Sequence, residues 1–435
     1  MFLKKLKNFS SAIKPQINSM RVTILGAGII GVTTAWELLK TGHEVSIIDR
    51  QKAPALETSF GNAGLIAPGH SYAWTTPKLP GNLLKSIFKR QQAFRFKWQW
   101  DPNMWCWGLQ FLLQCRRSKM KENTLRKHTL SVYSQKLFQK LTNELNIDYH
   151  QNRKGLIYIF RTPESFLEGK AKMEILMDNM ENLQLLSTEE LLAKEPSLKN
   201  MESPPAGGIY CPTDESGCCH DFTTALAALC EKKGVRFHYN TKVESFQCNE
   251  RKLKVINTDK REFETDVCVM ALAAYSPLMA KKAGDYLPIY PVKGNSLTVP
   301  ILDTEKAPDH SGIDEDNLLA FSMMGDKIRF TSVAEISGYD TSCTPADFTA
   351  MTQQAESLFP GAMNFSHPEY WAGLRPMTPN GAPIFGRGKL ENLFYNTGHG
   401  HLGWTMCAGS AKITADIINN QAPEISLAGM TIGTA

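Results

Sequence analysis

The sequence predicts an α/β protein: a Rossmann-like domain, discontinuous in the chain, with an inserted second domain of α+β character built on an antiparallel sheet. Three observations carry this. A strand–GxGxxG–helix–strand unit opens at Arg21. A second strand–glycine loop–helix unit occupies 393–418. Between the two, strand-like runs alternate poorly with helices, which points to antiparallel pairing.

The first unit is complete. Arg21-Val-Thr-Ile-Leu25 is a short β-type apolar run, and it leads into Gly26-Ala27-Gly28-Ile29-Ile30-Gly31. A helical stretch over 32–40, a turn at Thr41-Gly42-His43 and a strand over 44–48 follow, ending at Asp49 and Arg50. Gly26 suits the tight turn, Gly28 lets backbone approach a pyrophosphate, and Gly31 lets the helix lie close to the strand. The helix N-terminus carries roughly half a positive charge, which suits phosphate. Asp49, 18 residues beyond Gly31, is placed to accept ribose hydroxyls and disfavours NADP. The run Glu57-Thr-Ser59-Phe-Gly-Asn62-Ala63-Gly64 and onward to Gly69 is small, polar and glycine-rich. It suits the wrapping of a large planar ring, where an NAD domain would more often continue with another helix–strand unit. FAD is therefore the expected cofactor, and the discontinuous domain is read as FAD-binding.

The second unit adds a candidate anchor. The turn-rich run 371–386 surrounds Arg375, which precedes a proline and so favours extended backbone. Its guanidinium either binds a substrate carboxylate bidentately or forms a structural salt bridge. After the strand 393–397 come Gly398-His399-Gly400-His401-Leu402-Gly403-Trp404 and a helix over 405–418. That helix can aim its N-terminus at a flavin C2 carbonyl and stabilise an anionic reduced ring. His399 and His401 lack acid or Cys companions at ligand spacing, so they line the loop and no metal is expected. No GxSxG elbow is present, which disfavours a serine hydrolase.

In the middle of the chain, Asp214-Glu-Ser-Gly217-Cys-Cys-His-Asp221 precedes a helix over 222–233, a C-cap glycine at Gly234, a strand to His238, and Val243. Hairpin-like stretches at 253–256 and 262–265 and a buried parallel strand over 266–273 are read as extending the Rossmann-like sheet. Runs at 155–160, 207–211, 290–301 and 318–336 are read as antiparallel strands of the substrate domain. The expected bounds are 21–75, 213–285 and 366–425 for the FAD-binding domain, 76–212 and 286–365 for the substrate domain, and 1–20 for an extension.

Composition narrows the class. Of 435 residues, 42% are hydrophobic and 21% charged, as in a folded globular chain. No stretch of 18 residues is charge-free and mostly apolar, which disfavours a helical membrane protein. Ten cysteines at irregular spacing give no zinc motif, and Cys218-Cys219 is either a vicinal redox pair or two reduced thiols. The net charge of +5 is local. Residues 1–20 carry Lys4, Lys5, Lys7 and Lys14 and no acid, with Phe2, Leu6, Phe9 and Ile13 at helical spacing. They read as a mitochondrial transit peptide, a surface-binding amphipathic helix, or a stretch upstream of a true start at Met20. Residues 85–121 interleave nine Lys/Arg and one acid, Asp101, with aromatic residues including Trp98, Trp100, Trp105 and Trp107. This segment reads either as a surface for an anionic membrane or as a helical layer with a basic rim. No nucleic-acid partner is expected.

Taken together, Gly26–Gly31 with Asp49, 57–69, 214–217, 371–386 and 396–404 resemble the D-amino-acid dehydrogenase small-subunit family, within the D-amino-acid oxidase-like flavoproteins. The resemblance runs from Met20 to about residue 430. It implies noncovalent FAD, oxidative deamination of D-amino acids to 2-oxo acids and ammonia, and electron transfer to a quinone or other acceptor. It implies Arg375 as the carboxylate anchor; His399, in the late glycine loop, is the other candidate catalytic position. It implies FAD contacts at Gly26, Gly28, Gly31, Asp49, Asn62, Ala63, Gly64 and Val243; Ala27, Ile29, Ile30, Arg50, Ser59, Gly398, Gly400, Leu402, Gly403 and Trp404 are further cofactor candidates in the same loops. The implied location is cytoplasmic, peripheral on the inner face of a respiratory membrane. The sequence departs from the family at Ala273 (usually glycine), Asn295 (often tyrosine), Thr331-Ser332 (a glycine pair) and Cys218 (an acid). Three alternatives stay open: an oxygen-using amine oxidase of glycine, sarcosine or D-proline type, an NAD-linked enzyme, and a catalytically inactive flavoprotein binding subunit.

Overall fold

Arg21–Leu25 is buried after its first residue because it runs through the middle of a six-stranded sheet. The computed structural model describes residues 19–81, 94–97, 99–177 and 183–433. The sequence expectations for 1–18, 82–93 and Trp98 lie outside the described residues. The six-stranded order is Ile384–Arg387, Leu393–Thr397, Val267–Met270, Arg21–Leu25, Glu44–Ile48, Arg236–His238. Every neighbouring pair is parallel except the edge pair Ile384–Arg387 with Leu393–Thr397.

Parallel strands covered on both faces become nearly continuous apolar runs. On one face Val22, Ile24, Val45 and Ile47 meet Val32 and Trp36 of the helix Ile29–Lys40, Phe222 and Leu226 of Cys219–Lys232, and Cys407 of Gly403–Ile418. On the other face Leu25, Ile48, Cys268 and Met270 meet Leu253 and Ile256. Those last two belong to a separate antiparallel sheet, Val243–Asn249, Lys252–Thr258 and Glu262–Glu264. The hairpin therefore does not extend the Rossmann-like sheet as the sequence implied. Leu253 and Ile256 are buried while Lys252 and Lys254 are exposed, so the hairpin lies flat as a covering layer.

The second layer is a nine-stranded sheet, ordered Glu369–Met377, Tyr290–Pro300, Lys327–Ile336, Leu319–Met324, Ser311–Asp314, Leu156–Phe160, Gly207–Cys211, Gln184–Leu186, with Phe94–Phe96 pairing onto Lys327–Ile336. The sheet is mixed where the sequence implied antiparallel pairing: Ser311–Asp314 runs parallel to Leu156–Phe160, and Phe94–Phe96 parallel to Lys327–Ile336. Those partners come from distant parts of the chain, so no tight turn forces them antiparallel. Two further assignments shift. Glu369–Met377, placed by sequence with the FAD-binding part, pairs over nine positions with Tyr290–Pro300 of the nine-stranded sheet. The helix Arg117–Leu145, placed with the substrate part, packs Phe138 and Leu141 into the core beneath the Rossmann-like sheet.

Side chains bolt the two layers together. Thr58 Oγ1 donates to Leu374 O at 2.8 Å. Arg329, buried, donates from Nη1 to Phe60 O and from Nε to Thr298 Oγ1, each at 2.9 Å. The first layer itself depends on Gly31, where an added Cβ would sit on the carbonyl oxygen of Gly26. Gly31→Ala must push the helix Ile29–Lys40 off the glycine turn. It is expected to cost roughly 2–3 kcal/mol of stability in chemical denaturation.

Candidate active site

The glycine turn is held by the acid that follows it. Gly26 has φ 106°, a left-handed value that glycine adopts freely, and a Cβ there would lie 2.6 Å from Ala271 O. The Asp49 carboxylate accepts from the N–H of Ala27 at 2.6 Å and of Gln51 at 2.7 Å. Burial pushes its pKa up, and these two donors pull back against that. Asp49 thus braces the turn, with carboxylate lone pairs left over for hydroxyl donors. Arg50 pairs through Nε with Glu57 at 2.6 Å and lies over the Tyr275 ring at 3.9 Å.

Two helices begin at one cavity of about 610 Å³. Gly28 caps the helix Ile29–Lys40 and offers no capping side chain. Its first N–H, from Ile29, donates to Ser59 Oγ at 3.0 Å. The helix Gly403–Ile418 starts at Leu402, again without a side-chain cap and without an acid in its first turn. Gly28, Ile29, Ile30, Ser59, Asn62, Ala63, Gly64, His399, Gly400, Leu402, Gly403, Trp404 and Arg375 all line this cavity. Gly26, Ala27, Gly31, Asp49, Arg50 and Gly398 stand behind the wall, in or beside the two loops. Val243 is not brought to the cavity; it is half-buried at the start of the small covering sheet.

The wall fits the dinucleotide that the sequence implied. Asn396 Oδ1 and Trp404 Nε1 are buried without partners, and both residues line the cavity. Two uncapped helix N-termini supply N–H dipoles for a pyrophosphate and for a carbonyl of a planar ring. The residues that would hold FAD are thus the glycine turn, the loop 59–64 and the loop 398–404.

At the far side stands Arg375. Its strand is extended, as the following proline implied. Nη1 donates to Val333 O at 2.8 Å and to Lys293 O at 3.3 Å. Among the described residues no carboxylate pairs with it. Burial alone pulls its pKa down to about 10, so it remains a cation at neutral pH. The salt-bridge alternative left open by the sequence therefore has no partner here. Sequence reading missed what seats this guanidinium. A Cβ on Gly294 would collide with it, so Gly294 keeps its berth open. Val333 lies in a bulge, at φ 69°, an uncommon conformation for a β-branched residue that costs about 1–3 kcal/mol. That twist carries the carbonyl that Arg375 meets.

His399, the second candidate catalytic position, lines the cavity. Its Nε2 lies 3.0 Å from Ser410 Oγ, and burial pulls its pKa to about 3. Burial favours its neutral form, and the Ser410 contact ties the loop to the helix Gly403–Ile418. His401 stacks on Trp74 at 4.8 Å, and burial first, then nearby Lys127, holds its pKa well below the usual imidazole value. Among the described residues no cluster of His, Cys, Asp and Glu could hold a metal ion. Cys218 and Cys219 are buried free thiols. The unusual residues gather at the cavity: Ala273, Asn295, Thr331 and Ser332 all line it.

A glycine-hinged nucleotide layer joined to a sheet that presents an unpaired cation defines an oxidoreductase of the flavin-dependent class. The chain matches the FAD dependent oxidoreductase (DAO) family over residues 21–417. It is 41% identical over 414 residues to a D-amino acid dehydrogenase of Rhizorhabdus wittichii, covering 95% of this chain and 99% of that one. It is 39% identical over 413 residues to a D-amino acid dehydrogenase of Agrobacterium fabrum, with 95% and 99% covered. Among solved structures, glycine oxidase from Geobacillus kaustophilus superposes with a TM-score of 0.75 at 21% identity, covering 95% and 99% of the two chains. L-proline dehydrogenase from P. horikoshii gives 0.69 at 18%, covering 92% and 94%; these two likenesses concern fold. The chain belongs to the family of FAD-dependent oxidoreductases.

Two outcomes test this geometry. Ala273 has φ 49°, which accounts for the usual glycine. Ala273→Gly is expected to stabilise the fold by up to about 1 kcal/mol and keep flavin content, read by thermal denaturation and absorbance. Lys127 is buried, with Nζ donating to Tyr72 O at 2.6 Å, and burial pulls its pKa to about 7. The folded state penalises its charge, so wild-type stability is lost as pH falls from the unfolded lysine value toward 7. Lys127→Met is expected to be more stable than wild type below pH 7, with the difference shrinking steadily as pH rises above it.

Proposed function

We propose that this chain oxidises D-amino acids to 2-oxo acids and ammonia and passes the electrons to a quinone at a membrane surface. The observation that carries the reading is Arg375, a half-buried cation without an anion among the described residues, lining the cavity that begins at the dinucleotide turn. A buried charge without a counter-ion is costly, and a substrate carboxylate would supply the partner. The whole-length similarity to curated D-amino acid dehydrogenases supports the D-amino-acid class. Bound FAD supplies a two-electron acceptor for the Cα hydrogen.

The chain's own residues supply placement. Val333 O and Lys293 O fix Nη1, leaving the rest of the guanidinium fork for the carboxylate. Trp371, Val333 and Ala334 line the cavity and exclude water, which strengthens the charge pair. His399 and His401 are both neutral, so neither imidazolium competes with the amine for position. The amine reacts as the free base, and the imine product hydrolyses in water after release. Positioning and electrostatics carry the rate enhancement. Electron transfer at a membrane accords with the basic, tryptophan-rich sequence run 85–121. Among the described residues, no helix is long and apolar enough to cross a bilayer.

Anaerobic mixing with a panel of D- and L-amino acids tests the substrate class. D-amino acids are expected to bleach the flavin; if L-amino acids or sarcosine bleach it faster, the proposal fails. Hydrogen peroxide at the rate of turnover under air would mark an oxidase instead. Arg375→Ala is expected to lower kcat/KM for carboxylated substrates by about 10²- to 10³-fold, roughly 3–4 kcal/mol, mainly through KM.

A further inference from the structure

The helix Pro102–Leu113 lies at the protein surface and contains no charged residue. Its inner face is committed to the core: Met104, Trp107 and Phe111 are buried, and Trp107 Nε1 donates to Met377 O at 2.8 Å. Its outer face is also apolar. Leu109 is 63% exposed, Leu112 44% and Leu113 52%, with Trp105 beside them at 43%. A soluble surface helix normally turns charge outward, and an apolar outward face marks a docking surface. The patch continues onto Tyr286, 57% exposed, whose hydroxyl meets Gln110 at 3.3 Å.

The surrounding charge identifies the partner. Arg116, Arg117 and Lys121 are exposed directly after the helix, and among the described residues none of the three forms an ion pair. The nearby acids are engaged: Asp101 caps the helix and accepts from Tyr290, and Glu122 pairs with Lys119 and Arg126. Apolar side chains beside uncompensated guanidinium and ammonium groups match a bilayer rich in anionic lipid. A second copy of this chain would bring the same cations face to face.

We propose that the helix Pro102–Leu113 lies in the plane of an anionic bilayer, with Leu109, Leu112 and Leu113 inserted and Arg116, Arg117 and Lys121 on the headgroups. Phe111, on the opposite side of this helix, lines the substrate cavity together with Leu79 and Met120. Docking therefore sets that end of the cavity against the membrane, where a lipid-soluble quinone is concentrated. This last consequence rests on the quinone-linked reading above; the docking does not.

The test uses the full-length holoprotein with vesicles of phosphatidylcholine, alone or with phosphatidylglycerol. Co-sedimentation with the anionic vesicles is expected, weakened by high salt. Leu109→Glu with Leu112→Glu is expected to weaken it at least roughly tenfold while keeping flavin absorbance and dye-linked turnover. Arg116→Glu with Arg117→Glu provides a second variant that leaves the apolar packing untouched, and it should also weaken binding. Equal binding by both variants, as when residues 1–20 alone hold the protein, would overturn the proposal. So would equal binding to neutral vesicles, or a wild-type dimer that the leucine variant dissociates. Reduction of vesicle-embedded quinone should fall in both variants; if it persists while vesicle binding is lost, the cavity clause fails and the docking stands. Vesicle binding needs no substrate, so it is read independently of the D-amino-acid assignment.

Discussion

A guanidinium half withdrawn from bulk water and given no anion among the described residues is the constraint around which the second layer is organised. Taking a cation out of water costs several kcal/mol unless something answers its charge. Arg375 receives two carbonyl oxygens, which satisfy donors without cancelling charge. The strand that carries it, the glycine that makes room for it and the twisted valine that meets it all spend stability on one arrangement. An ordinary core would place an acid here or remove the arginine. A cavity that ends on such a group is complementary to a carboxylate, and the first layer decides what chemistry that carboxylate's owner meets.

Much of the first layer was legible because its signals are local. Gly26, Gly28 and Gly31 specify turn, approach and packing within a few residues, while the bracing of the turn by Asp49, read from sequence as a ribose acceptor, appears only in the structure. The loop 398–404 and its helix were equally legible, since a strand, a glycine run and a helix follow in register. The second layer was harder. Sheet membership of Glu369–Met377 depends on pairing with a strand some eighty residues away, and nothing in its own composition names that partner. The same holds for Ser311–Asp314, whose parallel neighbour lies more than 150 residues earlier. Val333 had no signal at all: a valine in a strand reads as a good β-former, and only the bulge opposite Gly294 turns it into the left-handed region.

The histidines show the limit of motif reading from the other side. His-Gly-His beside an expected ring invites a catalytic assignment. Burial favours the neutral ring at His399, and the Ser410 contact orients it. Identity of the residue was legible; its protonation was not, since desolvation depends on the helix and strands that close over it.

Arg329 deserves a mechanical interpretation. One side chain grips the loop of the nucleotide layer at Phe60 and the opposing sheet at Thr298, from a strand that also contributes the bulge under the anchor. Loop, sheet and anchor are thereby indexed to a common frame. The span between the carboxylate berth and the nucleotide cradle is then a property of the scaffold, as with jaws cut from a single block, so substrates of different length must differ in where their side chains go and not in where their reacting carbon sits.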